Sequence, residues 1–158
     1  YQSLMVPIVQ RHGGSIDKFM GDGIMATFGA AVTTDSYAAD ALAAIDDIMV
    51  AADDWALSRR AAGVRELKIG AACAAGRIIF GAVGDPTRLE YTVIGDAVNL
   101  AAKLEKHTKA EKVRALVDAE TYQKALAQGY QPAGTPEPRA ARPVEGTDMP
   151  MDLVVMSA

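Results

Sequence analysis

The stretch Leu89-Glu90-Tyr91-Thr92-Val93-Ile94-Gly95-Asp96-Ala97-Val98-Asn99-Leu100-Ala101-Ala102-Lys103-Leu104-Glu105 changes rhythm at a single point. Before Gly95 it is aromatic and β-branched, the composition of a strand. After Asp96, which is placed to cap a helix, Ala97, Leu100, Ala101 and Leu104 recur at three- and four-residue steps and predict an inward helical face to about Lys106. Asn99 and Lys103 lie four positions apart and project together from another face of that helix. An amide there suits orientation of a sugar, and an ammonium suits charge developing on a phosphoryl group. Polar residues on the outer face of an amphipathic helix need no function, so on this segment alone both readings stand.

Upstream, Leu67 to Ala74 and Arg77 to Val83 are apolar runs meeting at Ala75-Gly76, which predicts a hairpin with Cys73 buried in it. The polar turn Gly84-Asp85-Pro86-Thr87-Arg88 then separates this hairpin from the strand before Gly95. From Asp35 to about Arg60, Ala38, Leu42, Ile45, Met49, Ala52 and Trp55 mark a long helix with an acidic opposite face. Trp55 reads as core or interface. Leu4, Met5, Ile8 and Val9 mark a first helix interrupted by Pro7 and ended at His12-Gly13-Gly14, with His12 as its terminal cap.

Between these helices, Ile16 to Met20 and Ile24 to Phe28 read as two strands joined through Gly21-Asp22-Gly23, with Asp22 at the tip. A carboxylate held there on rigid strands is a candidate Mg²⁺ ligand, although Asp-Gly is also a common turn pair. Lys18, on the strand before it, is either an edge lysine that discourages aggregation or a donor to a base or phosphate. Downstream, Val113 to Val117 reads as a strand and Ala119 to Ala127 as a helix stopping at Gly129. The Pro-rich segment 131–146 reads as a loop or irregular edge, and 151–156 as a terminal strand.

The 158 residues suit one domain, 50% hydrophobic and 23% charged, with 16 Lys and Arg against 20 Asp and Glu. A net charge of −4 offers no electrostatic basis for binding nucleic acid. One Cys and two His exclude thiolate zinc clusters and leave carboxylates as the metal-binding material. No apolar run is long enough to span a bilayer, and the chain is expected to be soluble and cytoplasmic. No Gly-rich loop ends in Gly-Lys-Ser or Gly-Lys-Thr, which excludes a P-loop, and Gly81 to Asp85 lacks the full dinucleotide-binding glycine pattern. Strand pairs alternating with helices imply an α+β fold, a mostly antiparallel sheet with helices on one face. The uncovered face of such a sheet makes self-association the expectation.

Taken together and in this order, DKFMGDGIMATFG (17–29), IGAACAAGRIIFGAVGD (69–85) and LEYTVIGDAVNLAAKLE (89–105) resemble the catalytic domain of the class III adenylate and guanylate cyclases. The resemblance covers nearly the whole chain after the first helix. It implies a ferredoxin-like core, head-to-tail homodimers and nucleotide sites at the subunit interface. In the family two aspartates hold two Mg²⁺ or Mn²⁺ ions; the second matches Asp22, and the first belongs to an opening strand that would precede Tyr1. The chain is therefore expected to be a single catalytic domain, 1–158, with its first strand missing. The purine-reading positions match Lys18 and Thr92, a pair that favours ATP over GTP. The ribose-orienting asparagine matches Asn99.

The residue that stabilises the pentavalent phosphorus matches Lys103, where the family usually has Arg. Glu145 lies near a position at which some members place a lysine, and Arg139 or Arg142 is a candidate substitute for it. The implied function is adenylate cyclase, converting ATP to 3′,5′-cyclic AMP and pyrophosphate, with Lys18, Thr92, Asn99 and Lys103 of one subunit facing Asp22 of the other. A monomer is expected to be inactive. The alternative is a catalytically degenerate cyclase-like domain that binds nucleotide or dimerises. Attached sensor or membrane domains are expected outside this chain, as is common in the family.

Overall fold

The computed structural model describes residues 1–158. Helix α1 spans Gln2–Arg11 and buries Met5, Ile8 and Val9, the apolar stripe expected from sequence. His12 follows as its C-cap, with Nε2 2.7 Å from Asp47 Oδ2. Strands β1 (Ser15–Met20) and β2 (Gly23–Thr27) form a two-stranded antiparallel ribbon in which Met20 faces Gly23. Gly21 and Asp22 are thus the two turn residues, and Gly21 takes φ 59°, a value open to glycine without a Cβ clash.

Helix α2 (Tyr37–Ala61) buries Ala38, Leu42, Ile45, Met49 and Ala52 along one stripe, and its extra alanines let neighbouring elements approach closely. Trp55 packs against the same core at its margin, under the Arg59 guanidinium 4.9 Å from the ring centre.

The second hairpin differs from the one expected. Strand β3 is only Ala71–Cys73 and pairs in parallel with β6 (Ala115–Asp118) rather than with the run that follows it. Strand β4 (Ile79–Asp85) pairs instead with β5 (Arg88–Ile94), antiparallel and in continuous register from Ile79↔Ile94 to Asp85↔Arg88. One local and one long-range interaction decide this. Asp85 Oδ1 accepts from Thr87 N, Thr87 Oγ1 and Arg88 N, clamping Asp85-Pro86-Thr87-Arg88 as the true hairpin tip. At the supposed turn, Ala75 N donates to Thr121 Oγ1 at 2.9 Å, which draws the chain away from its own partner run.

Helix α3 (Asp96–Glu111) is longer than its apolar stripe implied and ends at Lys112 in the left-handed conformation, φ 56°. Gly95, not Asp96, is the N-cap, and its carbonyl accepts from Val98 N and Asn99 N. A Cβ at Gly95 would stand 2.9 Å from Arg77 O at φ 149°, so glycine is needed where β5 hands over to α3. Helix α4 (Ala119–Ala127) is capped by Asp118, whose side chain accepts from Thr121 N. The Pro-rich segment contains an edge strand, β7 (Glu137–Arg142), which pairs antiparallel with β8 (Met151–Ser157) through an irregularity between Arg139 and Arg142.

Strands β3, β6, β8 and β7, in that order, form the central sheet; the β1-β2 and β4-β5 ribbons stand apart from it. The α+β class with mostly antiparallel pairing is as expected, but the helices do not all lie on one face. On β6, Ala115 and Val117 join a core with α1, α2 and α4, whereas Leu116 joins Leu104 of α3. On β8, Val154 sits in the first core, and Leu153 and Val155 sit in the second. Alternating strand residues point to opposite faces, so α3 covers the face opposite α2 and α4. Leu104 and Leu116 are fully buried, each contributing on the order of 2 kcal/mol, and they seat α3 on the sheet. The uncovered apolar surface lies on the ribbons, where Phe19, Met20, Leu89 and Tyr91 each keep half or more of their surface exposed.

Candidate functional site

Lys18 and Thr92 come from different ribbons and meet at one carboxylate. The β1-β2 register runs Ile16↔Ala26 and then Lys18↔Met25, leaving Asp17 as the extra residue of a bulge. Bulges re-aim side chains, and here consecutive residues that would alternate faces both turn toward β5. Thr92 Oγ1 donates to Asp17 Oδ2 at 2.8 Å, and Lys18 Nζ lies 3.8 Å from the same oxygen. Lys18 Nζ also donates to Glu90 Oε1 at 3.4 Å. The Asp17 side chain is 2% exposed and Thr92 is buried, while Lys18 remains open to solvent. A buried acceptor thus organises a cation and a hydroxyl.

Asn99 and Lys103 share a different place. Both line a cleft of about 520 Å³ between the N-terminal half of α3, residues 75–77 and the loop 146–148. The helix start directs backbone N–H groups and the positive end of its dipole into this region, and Arg77 adds a guanidinium. Lys103 Nζ donates to Gly146 O at 2.6 Å, so one ammonium proton is already engaged. A Cβ on Gly146 would lie 3.1 Å from Lys103 Cε, which shows how closely the loop passes over the lysine stem. The cleft combines an amide and two cations with the carboxylates of Asp96 and Asp148, and its donors suit a phosphorylated sugar.

Asp22 stands exposed at the tip of the first ribbon and does not line this cleft. Its carboxylate is a hard oxygen donor of the kind Mg²⁺ and Mn²⁺ take. No group of three His, Cys, Asp or Glu side chains gathers anywhere in the structure to form a ready metal cage. Asp22 therefore suits an ion that draws its remaining ligands from water and triphosphate oxygens, and a two-ion pair needs a further carboxylate beside it.

The sequence model of the family described as the adenylate and guanylate cyclase catalytic domain matches residues 5–150. This chain belongs to that family. An uncharacterized protein of Mycobacterium tuberculosis is 40% identical to the cyclase domain over 119 residues, covering 75% of this chain and 21% of the relative. A protein of Anabaena cylindrica named adenylate cyclase is 34% identical over 111 residues, covering 69% of this chain and 22% of the relative. The chain thus spans about a fifth of the length of these curated relatives. Among solved structures, the guanylyl cyclase Cya2 superposes with a TM-score of 0.78 at 25% identity, covering 98% of this chain and 75% of that one. The adenylyl cyclase CyaB from P. aeruginosa gives 0.72 at 26% identity, covering 100% and 78%.

Within the cyclase domain, then, the five residues singled out from sequence fall into three places: Lys18 with Thr92, Asn99 with Lys103, and Asp22 alone. Arg139 and Arg142 do not reach the cleft. Arg139 pairs with Glu111 at 2.7 Å and with Glu137 at 3.1 Å, and Arg142 lies 3.7 Å from Glu111. Glu145 is exposed beside the cleft loop and does not line the cleft. Sequence reasoning missed Asp17 and Arg77. The only sign of Asp17 was a second charge next to Lys18 inside an apolar strand, where simple alternation would send the two to opposite faces. Arg77 was read as the start of a hairpin strand and gave no sign of facing α3.

Proposed function

We propose that the cyclase domain converts ATP to 3′,5′-cyclic AMP and pyrophosphate. The observation that carries the choice of ATP is the convergence of Lys18 and Thr92 on Asp17, across 75 positions of sequence, where the two ribbons meet. Lys18 donates to the ring nitrogen of adenine and Thr92 accepts from its exocyclic amine, while Asn99 orients the ribose. The ribose 3′-oxygen attacks the α-phosphorus, the bond to the β-phosphate oxygen breaks, pyrophosphate leaves with the electron pair, and the hydroxyl proton passes to solvent. Lys103, aided by Arg77, offsets charge on the phosphoryl oxygens in the transition state. Asp22 would hold Mg²⁺ or Mn²⁺, which when bound would acidify the attacking hydroxyl and offset the triphosphate charge.

Because Asp22 does not line the cleft holding Asn99 and Lys103, a second copy would supply it, arranged head to tail through the exposed apolar ribbons. No helix is long and apolar enough to cross a membrane, and an ATP-consuming domain is assigned to the cytoplasmic side of any larger protein.

A second reading, a degenerate domain that binds nucleotide without turnover, draws support from the engagement of Lys103 by Gly146 O. Supplying the purified full-length protein with ATP and Mn²⁺ separates the two. Cyclic AMP and pyrophosphate in equal amounts support the enzyme. Saturable ATP binding with no product at any protein concentration overturns it in favour of the binding domain.

A further inference from the structure

The geometry points to Asp17 as the residue that sets base selectivity, by committing the Thr92 hydroxyl proton so that Thr92 Oγ1 meets the purine only as an acceptor. This rests on the proposed purine site and goes beyond it, since Asp17 itself does not touch the base. A threonine hydroxyl has one proton and two lone pairs, and it rotates to suit its partner. Unrestrained, Thr92 would donate to the carbonyl at position six of guanine as readily as it would accept from the amine of adenine, and it would read neither.

In this domain the hydroxyl is not free. Thr92 Oγ1 donates to Asp17 Oδ2 at 2.8 Å, and the Asp17 side chain, 2% exposed, has little access to water that could relieve it of that role. Thr92 Oγ1 is the donor and the carboxylate oxygen the acceptor in this hydrogen bond, which leaves the lone pairs of the hydroxyl as what it can offer elsewhere. Lys18, 3.8 Å from the same oxygen, only donates. The pair therefore presents one donor and one acceptor, complementary to adenine's ring nitrogen and amine. Guanine carries the reverse pattern, a ring N–H and a carbonyl, and meets a cation and a lone pair at the wrong positions. The β1 bulge makes this possible: without the extra residue, Asp17 and Lys18 would point to opposite faces of the ribbon. Asp17 is thus a positioning residue acting through Thr92.

The test measures ATP and GTP affinity of the full chain, by competition with a fluorescent nucleotide in Mn²⁺, for the parent, Asp17→Ala, Thr92→Val and the double variant. The parent is expected to prefer ATP, and Asp17→Ala to lose about tenfold of that preference, the value of one hydrogen bond of changed sign. In the Thr92→Val background Asp17→Ala is expected to change the ratio no further. Asp17→Asn, which keeps the side-chain shape, is measured as well and is expected to relax the ratio in the same direction even if Asp17→Ala does not fold.

Equal losses of ATP and GTP affinity in the Asp17 variants overturn the proposal, because a residue that merely supports the bulge affects both nucleotides alike. A further fall of the ratio in the double variant overturns the route through Thr92. A parent chain with no preference for ATP, or no nucleotide binding, overturns the underlying purine-site reading instead, which keeps the two failures distinct.

Discussion

Lys103 shows what one side chain decides. Arg presents a planar fork that bonds two phosphoryl oxygens together, whereas Lys offers a single rotating point charge. Here one ammonium proton is held by Gly146 O at 2.6 Å, leaving two for substrate. Lys103→Arg is expected to raise kcat about fivefold to tenfold with little change in ATP affinity, the signature of an interaction made mainly in the transition state. Steady-state cyclic AMP formation checks this, and unchanged kcat refutes the expectation that Lys is the weaker group there. At this scale, Asn99 and Lys103 were legible because their spacing on a helix already places them together. Asp17 was not, because its role depends on a bulge and on Thr92, which only packing of the two ribbons brings near.

Helix α3 carries the cleft residues, and two devices hold it. Leu104 seats its middle on the sheet with Leu116, Leu153 and Val155, and Glu111 ties its end to β7. Burial pushes the Glu111 carboxyl up, but hydrogen bonds from Arg139 and His107 and the charges of Arg142 and Arg139 outweigh this and hold it below the usual range. A carboxyl lowered in the folded state contributes stability that is complete above its ordinary value, about pH 4.3, and is lost as pH falls through the lowered one. Glu111→Gln is expected to cost about 2 kcal/mol at pH 7 and to flatten the fall of thermal stability below pH 4.3. Parallel melting curves at pH 7 and pH 3.5 check it, and equal slopes in both proteins refute it.

Elements read by period, such as α1 and α2, were legible because burial of one stripe repeats along the chain. The second hairpin was misread because two consecutive apolar strands look like partners. Pairing was settled by the Asp85 turn clamp and by the Thr121 hydroxyl far along the chain, and the second of these leaves no local signature.

For the whole molecule, the two cores occupy opposite faces of the central sheet, and the ribbons touch them only at the margin, through Ile24 against the first. Exposed Phe19, Met20, Leu89 and Tyr91 are a surface that a second copy would cover. Leu89→Glu is expected to weaken dimerisation about tenfold or more, and specific activity should then be lower at a given concentration and go on rising to a higher protein concentration than it does for the parent. Sedimentation and dilution assays check the two together; a monomeric variant with full activity refutes the composite site.

By itself, the sequence determined the α+β class, the cyclase family and the shared helix face of Asn99 and Lys103, because those follow from local period and short motifs. Only the tertiary structure decided that β3 joins β6, that α3 lies on its own face of the sheet, and that Lys18 and Thr92 converge on Asp17. Each of these depends on which distant surfaces bury one another, and a chain's local spacing does not encode which of several apolar runs will meet.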